Sequence, residues 1–200
     1  MPKTCEYYFA PQSPFAYFGH ARLVAGAKRH GAKITLKPAD FGKIFSVSGG
    51  LALPQRAPQR QAYRLLELRR WSEYLQLPLT LQPKFFPVQP DLAAKVIIAA
   101  QLAHGTEAAL ALTEAIMQAV WVEEKNIADS ATLEQLANNL EHDGRALLKS
   151  AETASAQAEY ERFTDEAIAA NVFGAPWYVV DGVGFWGQDR LDFVERALAQ

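Results

Sequence analysis

Strand-like patterns occur only near the two ends of this 200-residue chain, and this distribution restricts the folds that it can adopt. At the N-terminal end, Thr4–Phe9 (TCEYYF) is rich in residues that suit a pleated strand, and residues 33–37 (KITLK) alternate polar with apolar side chains. Between them, Ser13-Pro14 is a helix-start signal, because serine caps backbone N–H groups and proline fits the first turn. Gly31 ends that helix. The pattern predicts a β-α-β unit with parallel strands.

The C-terminal end predicts a second, shorter unit. Trp177–Val180 and Val183–Trp186 have strand patterns, and Asp181-Gly182 between them is a tight hairpin turn. A final helix follows, and we expect Asp189 to cap it. The order of elements at this end is β-β-α.

The long middle of the chain has helical patterns. Apolar residues recur at helical spacing around Tyr160 and Phe163, and in four earlier segments. Those segments are residues 60–75, 92–104, 106–123 and 130–140. We therefore predict an α/β fold with two parts. Residues 1–42 and 171–200 form a thioredoxin-like β-α-β / β-β-α domain, and residues 43–170 form a large all-helical insertion.

Composition and charge exclude several classes of partner. The net charge is -2, with no long run of either sign, so nothing favours nucleic acid or an anionic membrane surface. No stretch approaches the roughly 18 apolar residues of a membrane-spanning helix. The N-terminal residues also lack the features of a signal peptide. We therefore expect a cytoplasmic protein.

Cysteine usage limits the chemistry. The single cysteine, Cys5, cannot form an internal disulfide, and the chain has no CxxC sequence. This excludes dithiol redox chemistry for the isolated chain and argues against a disulfide oxidoreductase. No set of His, Cys and carboxylate residues has the spacing of a metal site, so we predict no metal.

Ser13 is the first candidate site residue, because it stands where a thioredoxin-like fold keeps its reactive group. A helix N-terminus presents unpaired N–H groups and partial positive charge, which favour an anion such as a thiolate. The serine hydroxyl adds a hydrogen bond to the same charge. The chain has no cysteine here, so any reactive sulfur must come from another molecule. The alternative is that Ser13 only caps the helix.

Two further candidates lie near the C-terminus. Ala175-Pro176 precedes a strand, and a cis peptide bond there would expose the Ala175 backbone as a short edge for a peptide-like ligand. An ordinary trans proline is the alternative. Gln188 and Asp189 begin the last helical segment, where they can hold the carboxylate and the ammonium of a ligand. Capping of the helix is the simpler role for Asp189.

These motifs together resemble one family. The opening CEYYFAPQSPFAYFGHARL and the tail NVFGAPWYVVDGVGFWGQDRLDFVERAL resemble 2-hydroxychromene-2-carboxylate isomerases and the related kappa-class glutathione transferases. The segment PKFFP and Arg69-Arg70-Trp71 in the middle are also similar to this family. Two departures occur: the family often has Asp where this chain has Ala10, and commonly has Asn where it has Gly50.

The resemblance implies a glutathione-dependent isomerase of aromatic compounds, with homodimers plausible. Ser13 would keep the glutathione sulfur as a thiolate, and Ala175, before cis-Pro176, would pair its backbone with the cysteinyl part. Gln188 and Asp189 would hold the γ-glutamyl end. The family interconverts 2-hydroxychromene-2-carboxylate and trans-o-hydroxybenzylidenepyruvate.

Other assignments remain open at the level of sequence. A kappa-like glutathione transferase would use the same sulfur site, and a non-catalytic thioredoxin-like binding module would need Ser13 only as a cap. The cation for the substrate carboxylate is not identified, with Lys43 and Lys84 as weak candidates. We expect His20 to have a structural role.

Overall fold

A computed structural model describes residues 2–200 and contains a four-stranded mixed sheet in the order β2-β1-β3-β4. The strands are β1 (Thr4–Phe9), β2 (Lys33–Pro38), β3 (Trp177–Val180) and β4 (Val183–Trp186). β1 and β2 are parallel, whereas β3 is antiparallel to both β1 and β4. The predicted α/β fold, with a β-α-β unit at one end of the chain and a β-β-α unit at the other, is confirmed.

Helices surround the sheet. Within residues 2–200 they are α1 (Pro14–Arg29), α2 (Phe41–Ser48), α3 (Pro58–Leu75), α4 (Asp91–His104), α5 (Thr106–Trp121), α6 (Ser130–Asn139), α7 (Gly144–Ala151), α8 (Ala154–Ala169) and α9 (Leu191–Leu198). Short 3-10 helices occupy Leu53–Gln55 and Gln188–Arg190. No helix in the described part of the chain is long and apolar enough to cross a membrane.

The hairpin between β3 and β4 confirms the predicted turn. Asp181 and Gly182 have φ angles of 50° and 78°. Two residues with positive φ match the right-handed twist of the flanking strands. The turn aligns Trp177 with Trp186 at the opposite end of the strand pair.

The expected capping role of Asp189 is wrong. Helix α9 begins at Leu191 and has no side-chain cap, because a 3-10 turn precedes it and satisfies the Arg190 N–H through the Gly187 carbonyl at 3.1 Å. The Asp189 carboxylate instead accepts a hydrogen bond from Arg190 Nη1 at 2.7 Å.

One buried core includes side chains from the sheet and from the helices. Tyr7 and Leu36 of the sheet belong to the same apolar cluster as Val96 of α4 and Trp121 of α5. Hydrogen bonds also link the two predicted parts: Tyr17 donates to the Pro78 carbonyl at 2.8 Å. The division into a domain of residues 1–42 and 171–200 and an insertion of residues 43–170 stays a prediction.

Candidate active site

All five predicted site residues lie at one end of the sheet. Tyr8, near the end of β1, pairs with Trp177 at the start of β3, and Trp177 pairs with Trp186 at the end of β4. The segments that follow β1, precede β3 and follow β4 therefore share this end. They carry Ser13, Ala175, Pro176, Gln188 and Asp189.

Ser13 is the N-cap of α1 and is half-buried. Its Oγ accepts a hydrogen bond from the Ala16 N–H at 3.2 Å, and its own N–H donates to the Ala10 carbonyl at 2.9 Å. The cap uses one lone pair of the hydroxyl, so the hydroxyl hydrogen stays available to donate. That donor and the positive end of α1 together stabilise an anion placed beside them.

The Ala175–Pro176 peptide bond is cis. Ala175 is half-buried, and within residues 2–200 neither its N–H nor its carbonyl makes a backbone hydrogen bond. The Pro176 carbonyl is already used, since it accepts from the Gly187 N–H at 2.9 Å. The free N–H and carbonyl of Ala175 can therefore pair with an extended peptide, as a strand edge does.

Gln188 has a partner that the sequence did not predict. Its side chain is buried, and both its Oε1 and its backbone carbonyl accept from Arg22 Nη1 of α1, at 2.7 and 3.2 Å. Gly19 allows this close packing, since a Cβ there would lie 3.0 Å from the Gln188 Cβ. Gln188 thus fixes the 3-10 turn to α1, whereas the neighbouring Asp189 carboxylate is accessible to solvent.

An aromatic surface lies beside the Ala175 segment. The Phe173 ring makes edge contacts with Trp177 and Trp186, at 4.8 Å between ring centroids in both cases. Phe173 and Trp186 are exposed. Gly174 allows the indole to approach the backbone, because a Cβ there would lie within 2.4 Å of Trp186 Nε1.

Helix α5 contributes to the same end of the molecule. His20 Nε2 of α1 hydrogen-bonds the Leu110 carbonyl of α5 at 3.1 Å. Burial raises the pKa of Tyr17, and the charge of Glu114, also on α5, raises it further. Tyr17 precedes His20 on α1, whereas its counterpart Glu114 follows Leu110 on α5, so the two helices are antiparallel. Trp121, about 10 Å along the axis beyond Glu114, therefore lies at the Ser13 end of α1.

Arg64 of α3 is a functional candidate that the sequence analysis missed. Its guanidinium lies 5.1 Å from the ring centroid of Phe86 and 5.8 Å from that of Trp121. The arginines at positions 56, 60 and 64 have four-residue spacing with no intervening acidic residue, which was the available signal. By contrast, Lys43 and Lys84 are exposed.

Gly50 stands against Phe45. A Cβ at Gly50 would lie only 2.3 Å from Phe45 Cδ1, so the Phe45 ring takes the space that a larger residue would need. The Arg56 guanidinium lies near the same ring, 6.0 Å from the Phe45 centroid. An asparagine side chain at position 50 would therefore collide with the Phe45 ring unless that ring moved.

Comparison with known proteins identifies the family. Residues 4–199 match the model of the DSBA-like thioredoxin domain. The chain is 31% identical to the 2-hydroxychromene-2-carboxylate isomerase of Sphingobium xenophagum, covering 99% of both chains. It is 24% identical to glutathione S-transferase kappa 2 of Caenorhabditis elegans, covering 99% of this chain and 92% of that one. A solved structure of a 2-hydroxychromene-2-carboxylate isomerase superimposes with a TM-score of 0.82 at 25% identity, covering 98% and 94% of the two chains.

The fold and its helix-terminus site thus define a DsbA-like thioredoxin protein. Within that class, the chain belongs to the 2-hydroxychromene-2-carboxylate isomerase family. The protein is accordingly an enzyme of the isomerase type, and the resemblance drawn from the sequence is confirmed.

Proposed function

We propose that this protein is a glutathione-dependent isomerase that interconverts 2-hydroxychromene-2-carboxylate and trans-o-hydroxybenzylidenepyruvate-type aromatic compounds. The observation that carries the proposal is the position of the Ser13 hydroxyl. It caps the N-terminus of α1 at the same end of the sheet as the free backbone edge of Ala175, in a chain that has no cysteine at that place. The identity to isomerases of this name supports the choice of reaction.

The residues present fit a glutathione molecule in most respects. Ala175 offers an N–H and a carbonyl to the cysteinyl unit, and Ser13 offers a donor to the sulfur. The accessible Asp189 carboxylate accepts from Arg190 through Oδ2, and its Oδ1 can face the γ-glutamyl ammonium. Gln188 fits less well, because Arg22 already occupies its side-chain oxygen. We therefore assign the γ-glutamyl contact to Asp189 and assign Gln188 the support of that turn.

When bound, glutathione would supply a thiolate that adds reversibly to the carbon–carbon double bond, which allows rotation about it. The chain supplies the conditions for this. The Ser13 hydroxyl and the N-terminal N–H groups of α1 lower the free energy of the anionic sulfur. The Ala175 edge fixes the orientation of the peptide, so that the sulfur lies beside the substrate.

The proposed use of glutathione also indicates a cellular compartment. Because the cytoplasm keeps glutathione as a reduced thiol, we place the protein there.

The alternative function is that of a kappa-like glutathione transferase, which the similarity to the nematode protein supports more weakly. An isomerase requires glutathione without consuming it, whereas a transferase converts it to a conjugate.

The test replaces Ser13 by alanine. We expect S13A to reduce the glutathione-dependent isomerisation of 2-hydroxychromene-2-carboxylate roughly 100-fold, the order seen when one donor to a catalytic anion is lost. The ultraviolet absorbance of bound thiolate should fall at neutral pH, because the pKa of the bound thiol rises. Loss of the cap costs about 1 kcal/mol of stability in addition.

The matched control is T153A. Thr153 caps α8 through the same contact, with Oγ1 accepting from the Ala156 N–H at 3.4 Å. T153A should lose similar stability and keep full activity. Equal activity in S13A and the wild type, or isomerisation at the same rate without glutathione, would refute the proposal. Stoichiometric consumption of glutathione would favour the transferase.

A further inference from the structure

The Arg64 side chain is half-buried and has no acidic partner. Within residues 2–200 its guanidinium makes no ion pair and no hydrogen bond, and its Nη2 is fully buried. Burial, together with the positive charge of Arg56, lowers the pKa of Arg64 to about 10. The group still carries its charge at neutral pH. Leaving the two N–H donors of a buried Nη2 without an acceptor carries a cost that an anion bound in use would remove.

The surroundings compensate for only part of this cost. Phe86 and Trp121 lie with their ring centroids 4.7 Å apart, and Arg64 contacts both rings. Attraction to the aromatic faces stabilises the charge but gives its N–H groups no acceptor. The nearest acidic side chain along α3, Glu67, is paired with Arg70 at 2.8 Å. The chain thus places one cation against two aromatic rings and leaves its buried Nη2 without an acceptor.

The place of this cation in the fold points to the ligand site. Trp121 ends α5 at the Ser13 end of α1, as the hydrogen bond from His20 to Leu110 and the influence of the Glu114 charge on the pKa of Tyr17 indicate. Arg64 contacts Trp121 and therefore lies at that end too. Arg56, eight residues earlier, adds positive potential to the same region.

We propose that Arg64 binds the carboxylate of an aromatic ligand whose apolar part packs against Phe86 and Trp121. This rests on the proposed function, in which that ligand is the isomerase substrate and the carboxylate belongs to its ketoacid end. The planar guanidinium can donate two parallel hydrogen bonds to a carboxylate, which fixes the orientation of the ligand as well as its position. Holding the ketoacid end leaves the conjugated double bond free to face the sulfur site. The exposed Lys43 and Lys84 have no comparable aromatic surroundings.

The binding test uses carboxylate and neutral probes without glutathione. Calorimetry would compare trans-cinnamate with its neutral amide in the wild type, R64M, R64K and the control R69M, which removes an exposed arginine from the same helix. We expect R64M to lower the affinity for the carboxylate roughly 10- to 100-fold and to leave the amide unchanged. R64K should restore part of the affinity, because its point charge lacks the bidentate fork.

A stability measurement separates binding from a purely structural role. Because R64M removes a half-buried charge whose Nη2 has no acceptor, we expect its melting temperature without ligand to exceed that of the wild type by about 2–4 °C. A lower melting temperature in R64M would overturn the proposal. It would also be overturned by an unchanged affinity for trans-cinnamate in R64M, by an equal loss for the amide, or by a wild type with no preference for the carboxylate.

Failure of this inference and failure of the proposed function give different results. If the reaction assay shows no isomerisation but trans-cinnamate binding still depends on Arg64, the proposed function fails and the anion site stands. If R64M isomerises the substrate with an unchanged KM, the anion site is refuted while the proposed function stands. The outcome that supports both is a raised KM in R64M together with an unaltered affinity for glutathione.

Discussion

Ser13 and Thr153 perform the same local task, and only their surroundings give one of them a candidate chemical role. Each is an N-cap whose side-chain oxygen accepts from the N–H three residues later. Ser13 also lies at the same end of the sheet as the Ala175 edge, where β1 and β4 finish and β3 begins. A helix-capping residue therefore becomes part of a candidate binding site only when a second group at the same end of the sheet can recognise a ligand.

His20 shows how burial fixes a protonation state at the level of a single residue. The ring is 2% exposed, and its Nε2 hydrogen-bonds the Leu110 carbonyl. Burial lowers the pKa of His20 from 6.5 to about 4. The neutral ring is thus part of the packing between α1 and α5, in agreement with the structural role expected for it.

This gives a prediction for the pH dependence of stability. The unfolded chain takes up a proton near pH 6.5, whereas the folded chain does not do so until about pH 4. The free energy of unfolding is therefore at its full value above pH 6.5 and falls as the pH drops from there to 4, on the order of 3 kcal/mol for this residue. In H20Q this part of the fall should disappear, as urea titrations at pH 7 and pH 4.5 would measure. An identical fall in both proteins would contradict the assignment.

At the scale of secondary-structure elements, an ion-pair network joins β1, β2 and α8. Lys37 of β2 is 6% exposed. Its Nζ donates to Glu6 of β1 at 2.6 Å and forms an ion pair with Glu166 of α8 at 2.8 Å. Burial alone would lower the pKa of Lys37, but the two carboxylates outweigh it and raise the pKa above its ordinary value. The charge of Lys37 thus fixes three elements together.

Replacing Lys37 should weaken the attachment of β1, β2 and α8 to one another. K37M leaves Glu6 and Glu166 close together without the cation between them. We expect a loss of about 2 kcal/mol in the free energy of unfolding, less than for a fully buried pair because both carboxylates are partly solvated. The loss should shrink in acid, since Lys37 holds the pKa of Glu166 below 4.5 and protonation removes the repulsion. K33M, which removes an exposed lysine from the same strand, is the control, and an equal loss in it would contradict the prediction.

The elements also show what the sequence could predict. The hairpin was predictable because Asp181-Gly182 is a local signal, and α1 because Ser13 and Pro14 mark its start. Helices α2 and α7 were missed although Asp40 and Asp143 cap them, because each spans only eight residues and gives little periodicity. The common position of the five site residues followed from the predicted topology.

The bonds of individual site residues were less predictable, because they depend on distant parts of the chain. Gln188 is held by Arg22, 166 positions away in sequence. Arg64 lacks an acidic partner because no acidic side chain from a distant segment pairs with it, and the local sequence cannot indicate this. The four-residue spacing of Arg56, Arg60 and Arg64 is visible in the sequence, but only the structure shows that Arg64 packs against Phe86 and Trp121.

At the scale of the whole molecule, the shared core predicts that the sheet and the helices unfold together. Leu36 and Tyr178 of the sheet belong to one buried cluster with Leu112 and Trp121 of α5. Exposing either part would uncover apolar surface of the other, so partial unfolding costs nearly as much as complete unfolding. Urea unfolding of W177F/W186F, which keeps Trp71 and Trp121 in the helices, and of W71F/W121F, which keeps Trp177 and Trp186 in the sheet, should each show a single transition. The fluorescence midpoint should coincide with the circular dichroism midpoint within each variant. A fluorescence transition that precedes the loss of helical signal in either variant would show instead that the predicted insertion, residues 43–170, unfolds as a separate unit from residues 1–42 and 171–200.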